Sequence, residues 1–170
     1  MTQSTAGKQR DELAVPSMVH SVRTGAIGGA LGGVAMALIA IAYGLISGIG
    51  VWLPINVIAA TVLRGLQSAS IDQLSQFNLV ALIVGLLMHL ALSIGLGILF
   101  VLILPTLPGT PIIWALTVGP LLWIIASVLT LPLLDPLMAR VVDVPSFTIA
   151  HIGYGLVMGI YVARAKKVPA

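Results

Sequence analysis

The sequence predicts an all-α integral membrane protein: a four-helix bundle with an additional short helix, interfacial or re-entrant, between its first and second spans. Three observations carry that prediction. Hydrophobic residues make up 59% of the 170-residue chain, and charged residues only 8%. The mean hydropathy is +1.14. The apolar residues gather into four stretches, each about the roughly 20 residues that cross a bilayer. A soluble domain needs far more charge to cover its surface, so the solvent of this fold is lipid.

The first 23 residues form a polar tail, with Lys8, Arg10 and Arg23 set against Asp11 and Glu12. It is expected to be cytoplasmic and mobile up to Pro16, with His20 solvated within it. A signal peptide is the competing reading, because Arg23, an apolar run and Ala40-Ile41-Ala42 mimic its three parts. The run continues past Ala42 to Ile46, which favours a retained span.

Span one covers 24–47, and its length at helical rise is about 36 Å, enough to cross with tilt. Gly48-Ile49-Gly50 ends it. Val51 to Pro54 then leads into a short helix over 54–66. That helix is apolar but too short to cross, and it carries Asn56, Thr61 and Arg64. Asp72, Gln73, Ser75 and Gln76 make a polar turn before span two, 78–104.

Span three, 111–134, has Pro111 in its first turn and Asp135-Pro136 behind it. Its Gly119-Pro120 pair predicts a kink that frees a carbonyl near Leu116, re-satisfied by Thr117 or by a neighbouring helix. Trp123 is expected to pack within protein, and Trp114 and Tyr161 to sit at the inner interface. Span four, 146–163, closes a transmembrane domain over 24–165, and 164–170 is a basic C-terminus. The short connections make neighbouring helices antiparallel.

Basic residues set the orientation. With both ends inside, the cytoplasmic side holds Lys8, Arg10, Arg23, Arg164, Lys166 and Lys167, and the outer side only Arg64 and Arg140. The chain is therefore expected to be a multi-pass protein of the bacterial inner (plasma) membrane with N- and C-termini in the cytoplasm. The charges at the chain ends reflect topology rather than nucleic-acid binding.

In span one, Gly25, Gly29 and Gly33 form one small-residue row, and Gly28 and Gly32 form a second. In lipid, close backbone approach supplies the contact energy between helices. These rows serve either this chain's own bundle or a docking face for another subunit. Gly85, His89 and Ser93 share one face of span two, and His151 shares a row with Gly155 and Gly159 in span four. Two histidines on two helices raise a bis-histidine haem site. Counted from the expected span ends, however, His89 lies about 16 Å deep and His151 about 8 Å, which argues against one shared haem. Structural hydrogen bonding is the bland alternative for each ring.

Trp52, Asn56, Arg64, Asp72, Asp135, Arg140 and Asp143 gather at the outer face, where an Arg–Asp pair is expected. That cluster is either a solvated rim or a contact surface for a partner. The chain has no cysteine, which removes disulfides and thiolate sites. It contains no Walker loop, dinucleotide fingerprint or zinc-protease pattern, and no catalytic residue or metal site is expected.

Residues 52–60, the His89 span ending in Leu104-Pro105, Gly119-Pro120-Leu121-Leu122-Trp123 and Asp135-Pro136 together resemble a known group. It consists of small, uncharacterised bacterial four-span inner-membrane proteins that accompany respiratory oxidase components. The resemblance spans about residues 25–165 and carries over no catalytic residue. It implies a non-catalytic accessory or structural subunit of a larger membrane complex, in respiratory electron transport. The alternatives are a small transporter or channel, and a haem- or quinone-binding redox protein. The expected partners are the lipid bilayer and other membrane subunits, or further copies of the chain, with no nucleic acid. No cofactor is expected on the leading reading, and haem or quinone on the third.

Overall fold

The computed structural model describes residues 18–170, except the side chains of Leu122, Trp123 and Ser127. Most of the polar tail and the placement of the Trp123 side chain therefore lie outside the described residues. The helices are α1 (Val22–Ile46), α2 (Leu53–Ala60), α3 (Ile71–Leu74), α4 (Leu79–Ile103), α5 (Pro111–Ile125), α6 (Leu131–Leu134), α7 (Pro136–Val141) and α8 (Val144–Arg164). Among the described residues, three helices are long and apolar enough to cross a membrane: Val22–Ile46, Leu79–Thr106 and Val144–Arg164.

The helix starts follow local sequence chemistry. Ser21, Asn78, Asp135 and Asp143 each accept a hydrogen bond from a backbone N–H of the first turn that follows. Ser70 and Gln73 form a reciprocal capping box on α3. Pro136 stands at the first position of α7, where its missing N–H costs nothing. Gly48 and Gly50 adopt φ values of 76° and 86°, a left-handed conformation that lets the chain turn sharply out of α1.

Helix α1 lies between α4 and α8, and α8 lies between α1 and α5. Both α4 and α8 run antiparallel to α1, and α5 runs antiparallel to α8. At one end, the tail end, Met18–Val19 pairs antiparallel with Val168–Pro169. The two ends of the described chain therefore meet. Phe100 and Val101 of α4, Leu104 of the 3-10 turn that follows it, Ala115 of α5, and Tyr154, Met158 and Val162 of α8 form the buried core of this half.

The opposite end, the cap end, is a folded layer rather than a single surface helix. The sequence expectation of one helix over 54–66 is corrected: α2 stops at Ala60, and a separate 3-10 turn covers Arg64–Ser68. Leu53, Asn56, Val57 and Ala60 share one buried face of α2. Leu53, Val57 and Ala60 make a small second core with Leu74 and Leu137. Burying Val57 or Leu74, each 1% exposed, contributes about 2 kcal/mol where water is the alternative. Trp52 and Phe77 close the edge of the cap in a T-shaped contact at 4.9 Å.

Pro120 sits inside α5 without ending it. The irregular turn comes later, as a π-helical stretch over Ala126–Thr130. Pro132, two residues beyond, cannot donate to the Val128 carbonyl, and its ring crowds that oxygen; a widened turn relieves both problems. Thr117 Oγ1 donates to Ile113 O (2.9 Å), so its hydroxyl does not serve Leu116.

Candidate functional site

The two glycine rows of α1 face two different helices. A Cβ built on Gly25 would lie 2.6 Å from Gly97 O, and one on Gly29 would collide with Ser93 O. On the second row, Gly28 meets Tyr161 and Val162, and Gly32 meets the Tyr154 backbone oxygen at 2.8 Å. Gly155 and Gly159 take Ala115 of α5 in the same way. Both α1 rows are thus filled from within the chain. Gly85, on the same row of α4 as His89 and Ser93, faces not α1 but Ile55 of the cap, whose carbonyl oxygen is 2.6 Å from a built Cβ.

That close approach sets up two polar ties. His89 Nε2 donates to Gly33 O across the α1–α4 seam at 2.9 Å, and since a carbonyl only accepts, the proton is on Nε2. Tyr154 OH donates to Ser93 O at 2.7 Å, joining α8 to α4. His151 Nδ1 donates to Phe147 O one turn back on its own helix, also at 2.7 Å.

The depth argument against a shared histidine level is corrected by this geometry. The Tyr154–Ser93 bond puts those two residues at one height on parallel helices. His89 lies four residues from Ser93 and His151 three from Tyr154, in the same direction, about 6 Å and about 4.5 Å along the axis. The two residues therefore stand at similar heights along the bundle, within about one helical turn. The expectation had counted depth from each helix end as though the ends were level. They are not: α4 rises about 21 Å above the shared height and α8 only about 15 Å.

At the cap end, Asp135 is fully buried. The side-chain and backbone groups that donate to its carboxyl oxygens are neutral. Thr61 Oγ1 donates to Oδ2 (2.8 Å), while Gln67 Nε2 and the Met138 N–H donate to Oδ1 (both 2.9 Å). Gln67 also accepts from the Leu137 N–H and donates to Ala60 O. Arg64 lies alongside but donates to Leu134 O (2.7 Å). Such an arrangement holds a carboxylate and latches the 3-10 turn to α7. With every contacting group a donor, it is not a cation site.

Asn56 is a second keystone: its Nδ2 donates to Leu74 O (2.7 Å) and Gln76 O (2.9 Å). Asp143 caps α8, Asp72 lies exposed in the first turn of α3, and Arg140 is exposed in the last turn of α7. The expected outer cluster thus divides into a buried latch at Asp135, a tie at Asn56 and an exposed rim. Sequence reasoning missed Thr61 and Gln67 as partners of Asp135. They lie 74 and 68 residues away, and no local pattern marks them. A local signal did exist for Asp135 itself, since an Asp before Pro reads as an N-cap with proline at the next position.

His20, expected to be solvated, is only 8% exposed, and its Nδ1 has no hydrogen-bond partner. It lines a tail-end pocket together with Lys167. Burial and the Lys167 charge push the His20 imidazole below its usual 6.5. The unfolded chain then binds more protons on acidification, so stability rises with pH through the window below 6.5. The pairing of Met18–Val19 with Val168–Pro169 is expected to loosen as pH falls through that window. Amide exchange at Val19 and Val168, measured at pH 7.5 and pH 5.5, checks this.

The interhelical ties are expected to contribute modestly. His89→Ala and Tyr154→Phe should each cost about 1 kcal/mol, because the membrane-embedded unfolded state also finds partners. Denaturant-induced unfolding in mixed micelles measures the loss.

No family model, no curated protein and no solved structure matches this chain.

Proposed function

We propose that this chain is a non-catalytic accessory subunit of a larger membrane complex, and that it docks through the outward face of α4. One observation carries this reading. Ala91 and Gly95, four residues apart, are both exposed on α4, and a Cβ built on Gly95 meets nothing within 4 Å. A small pair of this kind admits the backbone of another helix. The expected docking face, the α1 ladder, is already covered on both sides. The polar side chains inside the bundle, meanwhile, tie its helices together: His89 to Gly33 O and Tyr154 to Ser93 O.

The wider setting belongs to the same proposal. The helical stretch from Pro111 to Leu134 serves as a fourth crossing, its α5, π and α6 parts running end to end. The meeting of Met18–Val19 with Val168–Pro169 supports an even number of crossings, with both ends on one side. The excess of basic residues makes that side the cytoplasm of a bacterial inner membrane. A place beside a respiratory oxidase or dehydrogenase rests on the sequence resemblance. Mass spectrometry of the tagged chain purified in gentle detergent tests it. Gly95→Leu should leave the chain folded and strip the co-purifying subunits. A partner that survives Gly95→Leu, or a homogeneous lone particle, counts against the docking face.

A second reading gains from the similar heights of His89 and His151. Each ring fixes its tautomer by donating to a backbone carbonyl, as histidines that ligate a metal or hold a redox group commonly do. A haem-binding chain would show a Soret band in its purified state, lost in His89→Ala. A quinone would appear in a lipid extract of the purified protein. Neither signal is expected on the leading reading. The transporter reading predicts saturable solute flux in liposomes that His89→Ala abolishes.

A further inference from the structure

A groove of about 360 Å³ lies between α1 and α8 in the half of the bundle nearer the tail end. It is lined by Leu31 of α1, by Val157, Ile160, Tyr161 and Arg164 of α8, and by Ala165 just beyond. The five residues from Val157 to Ala165 recur at three- and four-residue spacing, so they form one stripe along the helix. That stripe is about 12 Å long. The hydrocarbon of one bilayer leaflet is about 15 Å deep. Both walls belong to helices long and apolar enough to cross a membrane.

The groove is apolar along its length and charged at its tail end. Arg164 is exposed in the last turn of α8 and has no ion pair or hydrogen bond among the described residues. Arg23, Lys166 and Lys167 stand at the same end. Every acidic side chain of the described residues, Asp72, Asp135 and Asp143, lies at the cap end instead. The mouth of the groove therefore suits an anion, and its length suits a hydrocarbon chain. A partner helix fits less well, because Leu31, Val157 and Ile160 are too bulky to admit another backbone.

We propose that this groove seats one acidic phospholipid, with an acyl chain along Leu31, Val157 and Ile160 and the phosphate held by the Arg164 guanidinium. A guanidinium meets two phosphate oxygens at once, and basic pockets between spans bind acidic headgroups. Tyr161, packed beside Gly28 of α1, supplies the amphipathic ring suited to that depth. On the orientation proposed above, the lipid belongs to the cytoplasmic leaflet. The site uses no residue of α4, so it is separate from the docking face.

The test uses the full chain in neutral detergent, titrated separately with phosphatidylglycerol, phosphatidylcholine of the same acyl chains, and glycerol phosphate, which has the head without the tail. Native mass spectrometry counts bound lipid, and thermal unfolding reports stabilisation. The expected result is one phosphatidylglycerol retained roughly tenfold more tightly than phosphatidylcholine, whose choline cancels the charge, and no stabilisation by glycerol phosphate. Arg164→Gln, and Ile160→Trp, which fills the groove, should each weaken phosphatidylglycerol binding about tenfold. Lys166→Gln and Leu156→Trp, both exposed and outside the groove, should change it less than about threefold. Phosphatidylglycerol with a photoreactive diazirine on its acyl chain should cross-link to residues 157–165. Should Ile160→Trp misfold, the cross-link and the comparison of Arg164→Gln with Lys166→Gln decide. Equal retention of the two lipids overturns the proposal, as does an equal loss in Arg164→Gln and Lys166→Gln. Cross-linking spread evenly over the exposed faces of α1, α4 and α8 overturns it too. So does a protein partner that Ile160→Trp releases from a chain with no lipid preference, which would make the groove a seat for a helix.

Discussion

Gly29→Leu is expected to prevent assembly of the bundle. The substituted side chain has to enter where even a Cβ collides with Ser93 O, with Gly97 and Ile94 backbone atoms 3.1 Å away on the same side. Backbone cannot yield as a side-chain tip can, so α1 and α4 must separate. Separation breaks the His89–Gly33 bond in the same seam and exposes Phe100 and Val101 of the core. Overpacking usually costs about 1–3 kcal/mol, and a backbone clash in the central seam belongs at or above the top of that range. Gly95→Leu provides the control, since that position meets open space. Gly28→Ala should be tolerated better than Gly29→Ala, because its neighbours are the side chains of Tyr161, Val162 and Met158. Size-exclusion profiles and unfolding in mixed micelles rank the four variants. Equal behaviour of Gly29→Leu and Gly95→Leu would show that the α1–α4 seam does not hold the bundle.

Asp135→Ala is expected to open the cap while leaving the bundle intact. It strips the acceptor from Thr61, Gln67 and the Met138 N–H together, at a site with no exposure to water. Buried donors without acceptors cost about 1–3 kcal/mol each, and the Met138 N–H among them is the lost helix cap. Partial relaxation brings the expected total to about 3 kcal/mol. Asp135→Asn should cost far less, about 1 kcal/mol. Its Oδ1 still accepts from Gln67 and Met138, and the Thr61 hydroxyl can turn to accept from the new amide. The acceptor, not the charge, holds the latch. Hydrogen exchange locates the effect: in Asp135→Ala, residues 53–74 and 136–141 lose protection while α1, α4 and α8 keep theirs. An Asn variant as damaged as the Ala variant would mean that the negative charge itself is required.

The parts of this fold legible in the sequence are those fixed by local chemistry. Hydropathy marks α1, α4 and α8, and Ser21, Asn78 and Asp143 mark their starts. Gly48 and Gly50 mark the turn out of α1. The small-residue rows also stood out, but not their partners: a periodic stripe says that something approaches closely, not whether it comes from the same chain. What stayed hidden depends on contacts between distant segments. Thr61 and Gln67 reach Asp135 only because α2 and α7 share the cap. His20 is buried only because the C-terminal segment returns to pair beside it. The depth of His151 is not legible from span ends because α4 and α8 start at different heights, an offset carried by no residue of α8. Gly119-Pro120 predicts a break in its helix, yet the backbone irregularity falls before Pro132.

Everything proposed for this chain depends on the side of the membrane each end occupies. Reporter fusions ahead of Met1, after Ala170 and within the exposed rim at Arg140 measure that directly, using a phosphatase active only in the periplasm and a fluorescent protein that matures only in the cytoplasm. The expected pattern is fluorescence from both terminal fusions and phosphatase activity from the Arg140 insertion. Phosphatase activity at either terminus, or fluorescence at Arg140, contradicts the account.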